Sequence, residues 1–168
     1  MEVERIAVIG AGTMGNGIAG QAALSGFHVV LNDIDPARVR RAFAEIEKTW
    51  AKGVQRGKLT EAEAAAARER LFEAHDLASA VADADLVIEA VPEQIELKKA
   101  LFMDLERHAH AEALLATNTS SLSVTEIAAF TSAPERVVGM HFFNPVAVMP
   151  LVELVRGEQT SESTLRAA

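Results

Sequence analysis

Short apolar runs of strand length alternate along this chain with longer stretches in which apolar residues recur at helical spacing. Such alternation predicts a parallel sheet with covering helices, because two parallel strands must be joined by a crossover, and a helix supplies it. The first run, Arg5 to Ile9, ends at a glycine. From Met14 the positions Ile18, Ala19, Ala22 and Ala23 mark a helix that Gly26 is placed to stop. FHVVLN, residues 27–32, predicts the second strand. Asp35 then caps, and Pro36 opens, a long helix carrying Val39, Phe43, Ile46 and Trp50. A further helix starts at Thr60, whose hydroxyl can pair with Glu63 in the reciprocal box TEAE. These two helices are long for a simple crossover. They predict a hairpin projecting from the sheet around the polar turn KGVQRGKLT.

Beyond the hairpin, DADLVIEAVPE predicts a buried strand ending at Pro92, followed by a helix through Ile95, Leu97, Leu101, Phe102 and Leu105. Leu114 to Thr117 forms the next strand and runs into the polar loop NTSSL. Ser123 and Glu126, in SVTE, predict a second capping box for a short helix. RVVGMHFF and LVELV complete the sheet. The last stretch, RGEQTSESTLRAA, is polar and reads as the start of a further element.

Composition narrows what such a sheet can do. A chain of 168 residues with 49% hydrophobic and 24% charged residues fits one globular domain. Its formal net charge of -8 argues against a nucleic-acid groove or a basic membrane patch. Any anionic ligand must be held by local donors that overrule the bulk field. The absence of cysteine excludes disulfides, thiolate catalysis and cysteine metal sites, and no histidine pair has a convincing metal-ligand spacing. An acidic N-terminus and no long apolar run fit a cytoplasmic protein with no membrane segment.

GAGTMG, comprising Gly10, Gly12, Thr13, Met14 and Gly15 with Ala11 between, follows a predicted strand and opens a predicted helix. In that setting Gly10 allows the tight turn, Gly12 lets the backbone approach a pyrophosphate, and Gly15 lets helix and strand pack closely. Asp33 ends the second strand eighteen positions after Gly15. A carboxylate there accepts hydrogen bonds from an adenosine ribose and repels a 2'-phosphate, which favours NAD over NADP. Ligands of open parallel sheets lie at the carboxyl ends of the strands, where Ala90, Val91, Asn118 and His141 fall.

Glu153 sits in LVELV among apolar residues and needs either solvent or a partner. His141, twelve residues earlier, is at a ligand-facing strand end. A neutral imidazole there can remove a hydroxyl proton while hydride leaves the same carbon, and a carboxylate beside it fixes the tautomer and stabilises the cation that forms. Asn144 precedes Pro145 in an extended turn, so its amide can reach the same pocket; Ser120 and Asn118 supply further neutral donors. His28, His75, His108 and His110 read as surface residues. Glu89, a second acid in an apolar strand, has no partner that the sequence identifies.

IAVIGAGTMGNGIA, DLVIEAVPE, NTSSL and GMHFFNPV together resemble the NAD-binding domain of the L-3-hydroxyacyl-CoA dehydrogenase family, over essentially the whole chain. The resemblance implies a Rossmann-like, doubly wound, mostly parallel α/β sheet and NAD-dependent oxidation of (3S)-3-hydroxyacyl-CoA to 3-ketoacyl-CoA. It makes His141 the base and Glu153 its partner, with Ser120 and Asn144 at the substrate. Asp33 would take the adenosine ribose, and Glu93, Lys98 and Asn118 would contribute to the cofactor site. Coenzyme A would run along the hairpin, near Thr49, Lys52, Arg56 and Lys58. Family members continue into a helical second domain that makes a homodimer and closes over the acyl chain, so residues 1–168 are expected to be the NAD-binding half alone. Met1 directly before the first strand would suit a stand-alone dehydrogenase. A non-catalytic NAD-binding module is the alternative, and a β-hydroxyacid dehydrogenase acting on free acids is disfavoured by HFFNP.

Overall fold

In a computed structural model, which describes residues 2–168, seven strands form one sheet. In chain order the elements are β1 (Arg5–Ile9), α1 (Thr13–Leu24), β2 (His28–Asn32), α2 (Pro36–Gln55), α3 (Glu61–Glu69), β3 (Leu71–Glu73), α4 (Leu77–Val81) and β4 (Leu86–Glu89). There follow α5 (Ile95–His108), β5 (Leu114–Thr117), α6 (Val124–Ala128), β6 (Val137–Phe142), β7 (Val152–Val155) and α7 (Glu162–Ala167). The spatial order is β3-β2-β1-β4-β5-β6-β7, parallel throughout except for the antiparallel pair β6–β7. Strand order reverses between β1 and β4, and such a reversal opens a crevice at the carboxyl ends of the strands.

Alternation along each strand sends its side chains to two separate cores. On one face Ile6 and Val8 pack with Ile18 of α1, Ile46 and Trp50 of α2 and Ala67 of α3. On the other, Ala7 and Ile9 pack with Val81 of α4, Phe102 and Leu105 of α5 and Ile127 of α6. The sheet is therefore covered on both sides, which is why its central strands read as unbroken apolar runs.

The hairpin of α2 and α3 is held at its root and exposed at its end. Gly20 of α1 lets Ile46 of α2 approach closely, since a Cβ there would lie 3.2 Å from its Cγ2. The turn from Gln55 to Thr60 is exposed apart from Leu59. Thr60 and Glu63 form the full reciprocal box, whereas Ser123 caps α6 by accepting from the Glu126 amide without a returning bond. Asp35 caps α2 by accepting from the Ala37 amide.

Two elements have no counterpart in the periodic pattern. β3 adds an edge strand through pairing of Val29 with Leu71, and α4 is a five-residue helix capped by Asp76. The polar end of the chain folds back onto the domain. Thr160 and Thr164, both buried, donate their hydroxyls to the carbonyls of Val137 and Glu135, and α7 follows. No helix among the described residues is long and apolar enough to cross a membrane.

Candidate active site

The three glycines of the turn between β1 and α1 do different things. Gly10 has φ +105°, and a Cβ on it would lie 2.7 Å from the Ala90 carbonyl oxygen. A Cβ on Gly15 would lie 1.7 Å from the Gly10 carbonyl oxygen. Both are required by the fold. Gly12 has an ordinary φ of -75°, and a Cβ there would meet nothing within 4 Å. No protein contact demands glycine at that position, so the open space beside it suits a ligand approaching the backbone. The start of α1 agrees, for it has no side-chain cap and no acid in its first turn, while Asp35, Thr60, Ser123 and Ser161 cap other helices. Its first-turn N–H groups, including those of Thr13 and Met14, are left to bind an anion. The residues present fit the pyrophosphate of a dinucleotide.

Asp33 bridges this turn and the next element, with Oδ2 accepting from the Ala11 amide at 2.8 Å and Oδ1 from the Asp35 amide at 3.0 Å. A shallow cleft over the start of α1 is lined by Ala11, Gly12, Thr13, Asn16, Arg38 and Arg41. A larger cavity of about 400 Å³ lies at the amino ends of the strands, between Glu4, His28, Phe72 and Asp83, and contains none of the candidate catalytic or cofactor-binding residues.

Three strands away from the glycine turn, on the same edge of the sheet, antiparallel pairing of β6 with β7 places His141 directly opposite Glu153. Directly opposed residues on one face are within side-chain reach of each other. Here Nδ1 of His141 lies 2.9 Å from Oε2 of Glu153. A carboxylate only accepts, so Nδ1 carries the hydrogen and Nε2 is left as the basic nitrogen. Glu153 is half exposed, at 54%, while His141 is 21% exposed with Phe143 tilted against its ring at a centroid distance of 4.6 Å. The acid in LVELV thus has both a partner and solvent.

Between these two features lies the loop after β5. Asn118 Oδ1 accepts from the Phe142 amide at 2.9 Å, which ties the loop to β6. Ser120 is exposed and its hydroxyl makes no hydrogen bond among the described residues. Glu93 holds the loop: Oε1 accepts from the Thr119 hydroxyl, from the Ser120 amide at 3.2 Å and from the Ser121 hydroxyl at 3.3 Å. Burial pushes the Glu93 carboxyl up, but the Thr119 hydroxyl and the Lys98 ammonium together outweigh it and hold Glu93 below the usual carboxylate range.

Lys98 lies buried beside two carboxylates. Its side chain is 1% exposed and its ammonium is bonded to both Glu89 oxygens, at 2.6 and 2.8 Å, and lies 3.2 Å from Glu93 Oε2. Among the described residues its ammonium meets the carboxylates of Glu89 and Glu93 alone. This also supplies the partner of Glu89 that the sequence left open. The signal was present in helical spacing, because Lys98 shares the buried face of α5 with Phe102 and Leu105.

On the hairpin, Thr49 donates its hydroxyl to the Glu45 carbonyl of its own helix. Lys52, Arg56 and Lys58 are exposed and make no ion pair among the described residues. Asn144 is exposed in the turn after β6, and His28, His75, His108 and His110 all lie on the surface.

The sequence model described as "3-hydroxyacyl-CoA dehydrogenase, NAD binding domain" matches residues 5–168. The chain is 45% identical to the probable 3-hydroxybutyryl-CoA dehydrogenase of Bacillus subtilis, over 98% of its own length and 57% of that protein. It is 48% identical to the 3-hydroxyadipyl-CoA dehydrogenase of Escherichia coli, over 96% of its own length and 34% of that protein. The crystal structure of an Escherichia coli 3-hydroxybutyryl-CoA dehydrogenase superposes with a TM-score of 0.95 at 46% identity, covering 99% of this chain and 35% of the other. The chain thus spans about half, or less, of the length of these relatives.

Proposed function

The chain belongs to the 3-hydroxyacyl-CoA dehydrogenase family, as its NAD-binding domain, and from that premise we propose that it serves the NAD-dependent oxidation of (3S)-3-hydroxyacyl-CoA to 3-ketoacyl-CoA. Bound at the glycine turn, NAD supplies the hydride acceptor. His141 takes the substrate hydroxyl proton at Nε2. Glu153 keeps the Nδ1 hydrogen in place and balances the charge the imidazole gains, which lowers the cost of forming the cation beside a substrate. Ser120, whose hydroxyl is uncommitted, and Asn144 hold the substrate oxygen, and Asp33 receives the adenosine ribose.

Coenzyme A fits the exposed basic end of the hairpin, where Lys52, Arg56 and Lys58 offer cations without internal partners and Thr49 adds a hydroxyl. The formal net charge of -8 over the whole chain speaks against nucleic acid as a partner. The observation that carries the proposal is the 2.9 Å contact of His141 with Glu153, on the same sheet edge as an uncapped, glycine-led helix start.

Titration of the chain with NADH and NADPH, followed by addition of acetoacetyl-CoA, tests it. NADH is expected to bind more tightly than NADPH and to be oxidised when acetoacetyl-CoA is added. Failure to bind NADH would sink the proposal, and binding without oxidation would leave a non-catalytic NAD-binding module or fragment.

A further inference from the structure

Glu89 has no part in the chemistry above, yet it is fully buried at the carboxyl end of β4, beside the reversal of strand order. Its Oε1 accepts from the Val91 amide at 2.8 Å and from Lys98 at 2.6 Å, and its Oε2 accepts from Lys98 at 2.8 Å and from the Thr117 hydroxyl at 2.7 Å. We infer that Glu89 is a positioning residue for the loop Asn118–Leu122: it fixes the Lys98 ammonium, which fixes Glu93, which fixes the backbone and hydroxyls around Ser120.

Each link is a hydrogen bond or ion pair at a stated place. Lys98 has three N–H donors, two directed to Glu89 and one available to Glu93 Oε2 at 3.2 Å. Glu93 in turn receives the Thr119 hydroxyl, and the Thr119 oxygen accepts from the Leu122 amide at 3.0 Å, so the loop is closed on itself. The other side of Glu89 reaches the glycine turn, since Val91 follows the Ala90 carbonyl against which Gly10 packs. One buried carboxylate therefore joins the two parts of the crevice that must keep register.

Stability alone is a poor reason for this arrangement. A buried ion pair costs desolvation, and well-packed apolar residues of similar volume are commonly as stable or more so. Here two carboxylates are placed on one buried ammonium, an arrangement that packing does not need. Restricted movement of the loop bearing Ser120 is what the network provides. That Ser120 and Glu93 serve substrate and cofactor rests on the proposed function; the ordering of the loop does not.

The test compares wild type, Glu89→Gln and the neutral, volume-matched pair Glu89→Gln with Lys98→Met. Amide hydrogen exchange is read at Ser120 and Leu122 in the ligand-free chain, beside thermal stability and NADH affinity. In the pair variant, stability is expected near wild type while exchange at Ser120 and Leu122 accelerates about tenfold and NADH affinity falls by about the same factor, because Glu93 has lost its cation. Exchange at those two amides that stays at the wild-type rate, or rises only in step with every core amide, would overturn the inference. Should Glu89→Gln not fold, the pair variant still reads whether the buried pair orders the loop through Glu93. Loss of NADH binding by the wild type would count against the proposed function and leave the exchange result standing.

Discussion

Replacing Gly12 or Gly15 by alanine has opposite expected consequences, although both belong to one motif. At Gly15 the new methyl would enter the Gly10 carbonyl at 1.7 Å, so Gly15→Ala is expected to cost about 3 kcal/mol or more, seen as a fall in the urea midpoint. At Gly12 it would meet open space, so Gly12→Ala should cost less than about 1 kcal/mol. NADH affinity, measured by fluorescence titration, should drop on Gly12→Ala about tenfold because the methyl occupies the ligand's approach. Wild-type affinity in Gly12→Ala would remove the cofactor from this turn. At the same scale, His141 and Glu153 were legible because a histidine at a strand's carboxyl end and an acid in an apolar run each needed explaining. The partner of Glu89 was not, because helical spacing puts Lys98 on the buried face of α5 but does not say which strand end that face meets.

Elements with their own start signals are legible, and elements made by their neighbours are not. Thr60 with Glu63 marks the start of α3 in sequence and closes as a full box in the fold. Thr60→Ala is expected to lower stability by about 1 kcal/mol in denaturant unfolding. NADH affinity should not change, since the cap lies far out on the hairpin. By contrast β3 has three residues, Phe72 is 50% exposed, and the strand exists because Val29 offers Leu71 a ladder. Its pattern alone carries no period. The hairpin was legible as two helices, but how far it stands from the sheet depends on tertiary contacts of Ile46, Trp50 and Ala67 that spacing does not specify.

Over the whole molecule, alternation of strands and helices fixed the class of fold, whereas the order β3-β2-β1-β4-β5-β6-β7 rests on pairings between distant segments. Local caps and long-range contacts together set acid sensitivity. Glu63, Asp76, Glu93 and Glu106 are all held below their ordinary ranges, chiefly by Thr60, by Ser79, by Thr119 with Lys98, and by Ser132 respectively. A carboxyl lowered in the folded state binds fewer protons than in the unfolded chain, so its contribution is present above the ordinary value and lost as pH falls through the folded one. The urea midpoint should therefore not fall on account of these groups above about pH 5 and should fall as the pH drops further below about 4.5.

The central claim is that an imidazole on β6, oriented by a carboxylate on β7, moves the proton for a hydride exchanged beside it with a cofactor whose pyrophosphate is held at the glycine turn. Single-turnover oxidation of NADH by acetoacetyl-CoA, compared between wild type and His141→Asn, tests it most directly. The His141→Asn rate should be lower by at least about 100-fold with NADH affinity unchanged. A His141→Asn rate equal to that of the wild type would contradict it.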